Sequence, residues 1–341
     1  PVPASLFVAT VAAHQLQAML TQQGVLSAAN FRVTPLPHQV LAVDFVLGQF
    51  RPRAMLADEV GLGKTIEAGL VIKELKTRGI ANRVLILAPS GIIGQWQVEM
   101  RTKFGLIFSL YRGDTVAYLQ ANHPTENVWT LNDNVIASHT FASLYEEKRR
   151  EISLAGWDLI VIDEAHHARR TWQGADKYTT TNLYRLAESL AEPEAGKSTG
   201  VLLLTATPMQ LHRFELFSLI ELLDLALFTN YYDFEDHCES LAGLNQTCEK
   251  VRGIHKLSDS DRQSTIEEVC EWLGNESSDV ELSVGTAEGC SQLTDELYQE
   301  HRLSEVMIRN RKAVVGGFMP RVAQGVNFRD ITPLLQNSAA F

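Results

Sequence analysis

The stretch Ala57–Thr65, "ADEVGLGKT", decides how this chain is read. It matches a phosphate-binding loop, G-x-x-x-x-G-K-[ST], at every defined position but one. Gly63, Lys64 and Thr65 fill the last three places, and Asp58 stands where the first glycine is expected. The flanks supply the context such a loop needs. "RAMLA" at 53–57 is a short apolar run of strand type, and "TIEAGLVIKELK" from Thr65 has the character of a helix. A strand–loop–helix unit aims backbone N–H groups and the positive end of the helix dipole at whatever the loop encloses. Lys64 then reaches the β- and γ-phosphates of a nucleotide and Thr65 holds Mg2+, with Glu59, Val60, Gly61 and Leu62 forming the cradle. A plain glycine turn capped by Thr65 is the competing reading of this segment taken alone.

Outward from the loop, strand and helix patterns alternate. Buried-strand runs fall at 53–57, 83–89, 107–111, 134–138, 158–162 and 200–205, with helical patterns near 38–48, 64–78, 91–103, 140–151, 178–191 and 213–225. Continuous apolar strands alternating with helices predict an α/β fold with a parallel β-sheet and helices on both faces. Ligands of such sheets bind at the carboxyl ends of the strands. Past residue 230 no good strand is apparent, and helical candidates run at 233–242, 260–273 and 290–308. The expected organisation is an N-terminal helix/loop extension (1–34), an ATP-binding lobe (35–230), an acidic helical insertion (231–305) and a junction (306–341).

Charge follows that division. The 341 residues carry a net −11, but Asp233 to Glu305 alone hold 18 acidic and 5 basic residues, a net of −13, which leaves the rest at +2. Net charge therefore does not exclude nucleic acid, because a balanced surface can carry a basic groove. The acidic segment reads either as a solvated helical surface or as a docking surface. No run of eighteen uncharged apolar residues is present, so no membrane span is expected. The N-terminus lacks a signal-peptide pattern and begins with Pro1, so trimming is expected. The four cysteines have no C-x-x-C spacing and are expected to be free cytosolic thiols.

Two further strand ends carry chemistry. "LIVIDEAHHA" brings Asp163 and Glu164 out at a carboxyl end. Asp163 suits a second Mg2+ ligand, and Glu164 can orient and deprotonate an attacking water. "VLLLTATPMQL" ends a third strand in Thr205 and Thr207, whose hydroxyls can meet His166 or the γ-phosphate region. By itself that segment is only a strand end with a turn.

Taken in order, these segments resemble the first RecA-like lobe of a superfamily-two motor of the SWI/SNF type, closest in appearance to its bacterial HepA-type branch. "DEVGLGKTIEAG" is similar to that family's motif I, in which an acidic residue replaces the first glycine. "PLPHQ", with Gln39, resembles the adenine-reading motif. "VLILAPSGIIGQWQVEM" and "VIASHTFAS" resemble motifs Ia and Ib, "DEAH" motif II and "LLLTATPMQL" motif III. "ELFSLIELLD" and "VMIRNRKAVVGGFMPR" resemble the segments that follow. The matches span 35–225 and 306–321.

The resemblance implies ATP and Mg2+ bound between two lobes and translocation along double-stranded DNA. It places Ser90, Gln95, Ser138 and His139 on phosphate backbone, and makes His166 the link from nucleotide to Thr205 and Thr207. Trp96 is read as core. Arginine fingers belong to the second RecA-like lobe, so hydrolysis by this chain alone is expected to be weak. The expected setting is the bacterial cytosol, with RNA polymerase or another protein as a partner through the acidic segment. A strand-separating helicase, a defence-system motor and a protein-docking module remain open beside this reading.

Overall fold

The computed structural model describes residues 32–49, 52–174, 177–192, 199–208, 212–273, 277–299 and 302–310. Most of the expected extension 1–34, the last three residues of "LLLTATPMQL" and the glycine-containing stretch after residue 310 lie outside them.

Seven parallel strands form the central sheet, in the order β3-β4-β2-β5-β8-β1-β9. They are β1 (Arg53–Leu56), β2 (Val84–Ala88), β3 (Ser109–Tyr111), β4 (Asn134–Ser138), β5 (Leu159–Ile162), β8 (Gly200–Leu204) and β9 (Met307–Ile308). Successive strand residues face opposite sides, which is why a strand buried on both faces is apolar throughout. Met55, Leu85, Leu87, Ile160, Ile162 and Leu203 pack on one side. Leu56, Val84, Ile86, Val161, Leu202 and Leu204 pack on the other.

Helices cover both faces. The second face takes α1 (Pro37–Gly48), α2 (Lys64–Thr77) and α3 (Ile93–Phe104). The first takes α4 (Gly113–Asn122), α5 (His139–Ser143), α6 (Glu146–Leu154), α7 (Asn182–Ala191) and α8 (Arg213–Leu223). Helices α2 and α3 approach closely at Gly69, where a Cβ would come within 2.2 Å of the Phe104 ring.

Several elements differ from expectation. The 140–151 pattern is two helices, broken at Tyr145, whose backbone is extended; Arg149 donates to the Ser143 carbonyl at the break. The start of the 178–191 pattern is a strand: β6 (Arg170–Gly174) and β7 (Lys177–Thr180) form an antiparallel hairpin. Arg170 stacks over Tyr178, Tyr184 and Phe214 and pairs with Glu221, and Trp172 packs on Phe214 and Tyr231. Helix α4 was not expected, and neither was strand β9 beyond residue 230.

The described residues between 231 and 299 hold four α-helices: α9 (Tyr231–Arg252), α10 (Asp259–Leu273), α11 (Ser277–Val284) and α12 (Ala287–Gln299). They enclose their own apolar cluster, which includes Leu244, Cys248, Val251, Val269, Val284 and Leu297. None of the cysteines at 238, 248, 270 and 290 is in a disulfide. No helix among the described residues is long and apolar enough to cross a membrane.

Candidate nucleotide site at the strand carboxyl ends

Because all seven strands run parallel, their carboxyl ends share one edge, and the strand order sets out the site along it. The loop after β1 carries Lys64. Thr205 follows β8, Asp163 and Glu164 follow β5, Ser90 follows β2, and Ser138 and His139 end β4. Adjacent strands lie about 4.8 Å apart, so side chains from β1 and β5 meet across β8.

Gly63 has φ +97°, a left-handed conformation, and a Cβ there would meet Gln39 Nε2 at 2.5 Å. Two side chains of α1 hold the loop: His38 Nε2 lies 3.0 Å from the Leu62 carbonyl and Gln39 Nε2 donates to it at 2.9 Å. Gln39 Oε1 accepts from Leu36 N at 2.9 Å. Both ends of the Gln39 amide are thus engaged with protein.

Lys64 Nζ donates to the Asp58 carbonyl at 2.7 Å. Burial holds its ammonium below the ordinary lysine range, and Glu164, Glu67, Asp58 and Asp163 pull it back upward. Val60 and Gly61 are exposed at the loop tip, and Glu59 and Thr65 are half-buried.

Asp58 points away from the loop's open side. It is fully buried and accepts from Asn310 N at 2.8 Å and from Asn310 Nδ2 at 3.1 Å on each oxygen. Glu67 lies beside it, also fully buried. With both acids ionised the Glu67 oxygens have no donor. Burial, then Asp58, pushes the Glu67 carboxyl up to about 9, which favours its protonated form beside Asp58 at neutral pH. His38, Asp58 and Glu67 place ligand-type atoms within 4.8 Å of one another. This cluster was invisible in the sequence beyond the anomaly at Asp58.

Asp163 is held at both oxygens. Trp96 Nε1 donates to Oδ2 at 2.8 Å, and Glu164 N donates to Oδ1 at 2.8 Å. Burial raises the Asp163 carboxyl and these two bonds lower it. Trp96 is core, as expected, but its indole N–H is also the anchor of Asp163. Glu164 sits at φ 47°, the only non-glycine with positive φ among the described residues. Its Oε2 lies 3.2 Å from His166 Nδ1. Burial, then His167, holds His166 below the ordinary histidine range, and Glu164 pulls it back upward.

Thr205 Oγ1 lies 3.5 Å from His166 Nδ1, and Thr207 enters through its backbone, donating to Thr205 Oγ1 at 3.3 Å.

Beyond β5 a cleft of about 400 Å³ opens between Ser90, His139, Thr140, Ser143, His167 and Asn182. Ser90 and Gln95 are exposed, although Gln95 also bonds Glu99 at 2.8 Å. Ser138 and His139 are buried: Ser138 Oγ caps α5 by accepting from Phe141 N, and His139 Nε2 bonds the Leu87 carbonyl at 3.2 Å. Burial pushes His139 down to about 4 against the Leu87 carbonyl, which raises it, so the ring is neutral at neutral pH.

A parallel sheet with a phosphate-type loop and an acid pair along one edge defines a RecA-like P-loop lobe. The chain belongs to the SNF2-related domain family, which matches residues 38–332. It is 38% identical over 312 residues to the RNA polymerase-associated protein RapA of Pseudomonas savastanoi pv. phaseolicola, covering 90% of this chain and 30% of that protein. It is 36% identical over 314 residues to the protein of the same name from Pseudomonas aeruginosa, covering 90% and 31%. The chain therefore spans under a third of the length of these curated relatives. Among solved structures, the Sulfolobus solfataricus SWI2/SNF2 ATPase core in complex with dsDNA aligns at TM-score 0.50 and 16% identity, over 85% of this chain and 47% of that one. That likeness concerns the fold.

Proposed function

We propose that this chain is the ATP-binding lobe of a SWI/SNF-like motor that hydrolyses ATP and moves along double-stranded DNA. The observation that carries this reading is the convergence of Lys64, Asp163 and Glu164 at one sheet edge, with Asp163 fixed at both oxygens.

The residues fit a nucleotide. Helix α2 begins at Lys64, with Gly63 as an N-cap that offers no side-chain bond, which leaves the Lys64 and Thr65 N–H groups for an anion. Lys64, resting on a backbone carbonyl, is free to exchange that acceptor for phosphate oxygens. Thr65 and Asp163 are the residues that would hold Mg2+, which supplies charge neutralisation on the phosphate oxygens when bound. Glu164 orients the attacking water and takes its proton, and its proximity to His166 lets the state of the site reach Thr205. The hydroxyl- and amide-lined cleft at Ser90, Thr140 and Asn182 suits the phosphate backbone of nucleic acid, which is met mostly by such donors. Gln95 extends that surface, and Ser138 and His139 shape it from beneath.

Full turnover in this account needs a second RecA-like lobe, because charge on the transferred group is met by arginines from outside this lobe, an effect of about 10³–10⁵ in related chemistry. The setting is the bacterial cytoplasm.

A second reading concerns partners. The relatives are named for association with RNA polymerase. The helical unit with its own core and concentrated acidic charge is the surface we assign to such a contact. Recovery of RNA polymerase with and without residues 233–305 tests it; equal recovery removes it.

The motor reading is tested by ATP hydrolysis in the protein carrying both lobes, with no nucleic acid, duplex DNA, single strands or RNA. Stimulation by duplex DNA that Glu164→Gln abolishes is expected. Stimulation by single strands or RNA alone supports a strand-separating helicase instead, and indifference to nucleic acid rejects the motor.

A further inference from the structure

We infer that Asn310 is a positioning residue for the phosphate loop, tying the chain that leaves β9 to the acceptor on which Lys64 rests. The inference builds on the nucleotide reading of that loop.

Strand β9 runs parallel to β1, with Met55 opposite Met307 and Leu56 opposite Ile308. The pairing does not stop where the strands end. Met55 N donates to Val306 O at 2.7 Å, Ala57 N to Ile308 O at 2.9 Å and Glu59 N to Asn310 O at 3.2 Å. The last of these lies inside the loop. Asn310 then returns its own backbone N–H and its amide to the Asp58 carboxylate. One residue near the end of the described chain therefore makes four hydrogen bonds to two consecutive loop residues.

Asp58 is the pivot. Its carboxylate faces Asn310, and its carbonyl holds Lys64 Nζ at 2.7 Å. Any shift of Asp58 displaces the Lys64 acceptor with it. The far side of the loop is fixed independently, since His38 and Gln39 of α1 hold the Leu62 carbonyl. The loop is thus clamped at Leu62 by its own lobe and at Asp58–Glu59 by the segment 306–310.

The bonding pattern is specific to an amide opposite a carboxylate. Asp58 has no water access and already has Glu67 at its other flank. A side chain at 310 that cannot donate leaves a buried carboxylate under-satisfied, and an acid there adds like charge to it.

The experiment titrates the 341-residue chain with a fluorescent ATP analogue and Mg2+, and follows thermal unfolding in parallel. Asn310→Ala is expected to weaken binding about tenfold, the scale of one charge-assisted hydrogen bond. Asn310→Asp is expected to weaken it further. In the reciprocal pair D58N/N310D an amide again faces a carboxylate, and binding is expected to recover toward wild type. A change that follows only the melting temperature, without recovery in the pair, overturns the inference, because a purely structural role gives that pattern. If N310D does not fold, Asn310→Ser and Asn310→Ala carry the test, and wild-type affinity in both overturns it. Binding by wild type that no 310 variant alters removes this inference and leaves the nucleotide reading standing. Absence of binding by wild type removes both.

Discussion

Trp96 and Asp163 are joined by a buried hydrogen bond of 2.8 Å from the indole N–H to Oδ2. It connects α3 to the end of β5 and fixes the orientation of the acid pair. Trp96→Phe keeps most of the apolar packing and deletes the donor, leaving a buried carboxylate oxygen unpaired. A stability loss of about 1–3 kcal/mol is expected from the lost partner, plus a cavity contribution. Denaturant unfolding measures it. Nucleotide binding should also need more Mg2+ than in wild type, a shift that lost packing alone does not produce.

Gly63→Ala tests the loop geometry. At φ +97° an L side chain costs about 1–2 kcal/mol, and its Cβ would fall 2.5 Å from Gln39 Nε2. Loss of the Gln39–Leu62 bond should accompany loss of nucleotide affinity. Unchanged affinity would show that α1 does not hold the loop.

His139 sets a pH dependence. It titrates near 6.5 when unfolded and at about 4 in the fold, so the unfolded chain binds more protons between those values. The contribution is complete above about 6.5 and is lost as pH falls toward 4, at most about 3 kcal/mol. The His167 and His166 rings facing it act in the same direction. Unfolding free energies from pH 7 to 4 should show this slope, and His139→Asn should flatten it.

Leu297 lies fully buried in the cluster formed by α9 to α12, separate from both clusters that sandwich the sheet. Leu297→Ala is expected to cost about 2–5 kcal/mol in that helical unit. Nucleotide affinity should be unchanged, because the residues that hold the loop, His38, Gln39 and Asn310, lie outside that cluster. Coupled loss of both would show that the unit supports the site.

The sequence was legible where one kind of contact dominates. The strands of the seven-stranded sheet from 53 to 204 were apolar runs because both faces of that sheet are covered. The β6–β7 hairpin was not legible: "RTWQG" and "KYTT" are short and polar, and their pairing is fixed by Arg170 and Trp172 stacking on rings from α8 and α9. Strand β9 has two residues and exists only through its register with β1. At the site, Lys64, Asp163, Glu164 and His166 were marked by motif spacing. Asp58 was recognised as an anomaly, but its partner is 252 residues away, beyond the reach of any local pattern. Trp96 offered a usable signal, since a buried indole N–H requires an acceptor.

The most direct test of the account is calorimetric titration of MgATP into this chain and its Lys64→Ala and Glu164→Gln variants. Saturable binding at one site in wild type, retained in Glu164→Gln and lost in Lys64→Ala, is the predicted result. Equal binding by wild type and Lys64→Ala, or none by wild type, would contradict the claim that the Ala57–Thr65 loop is a nucleotide site.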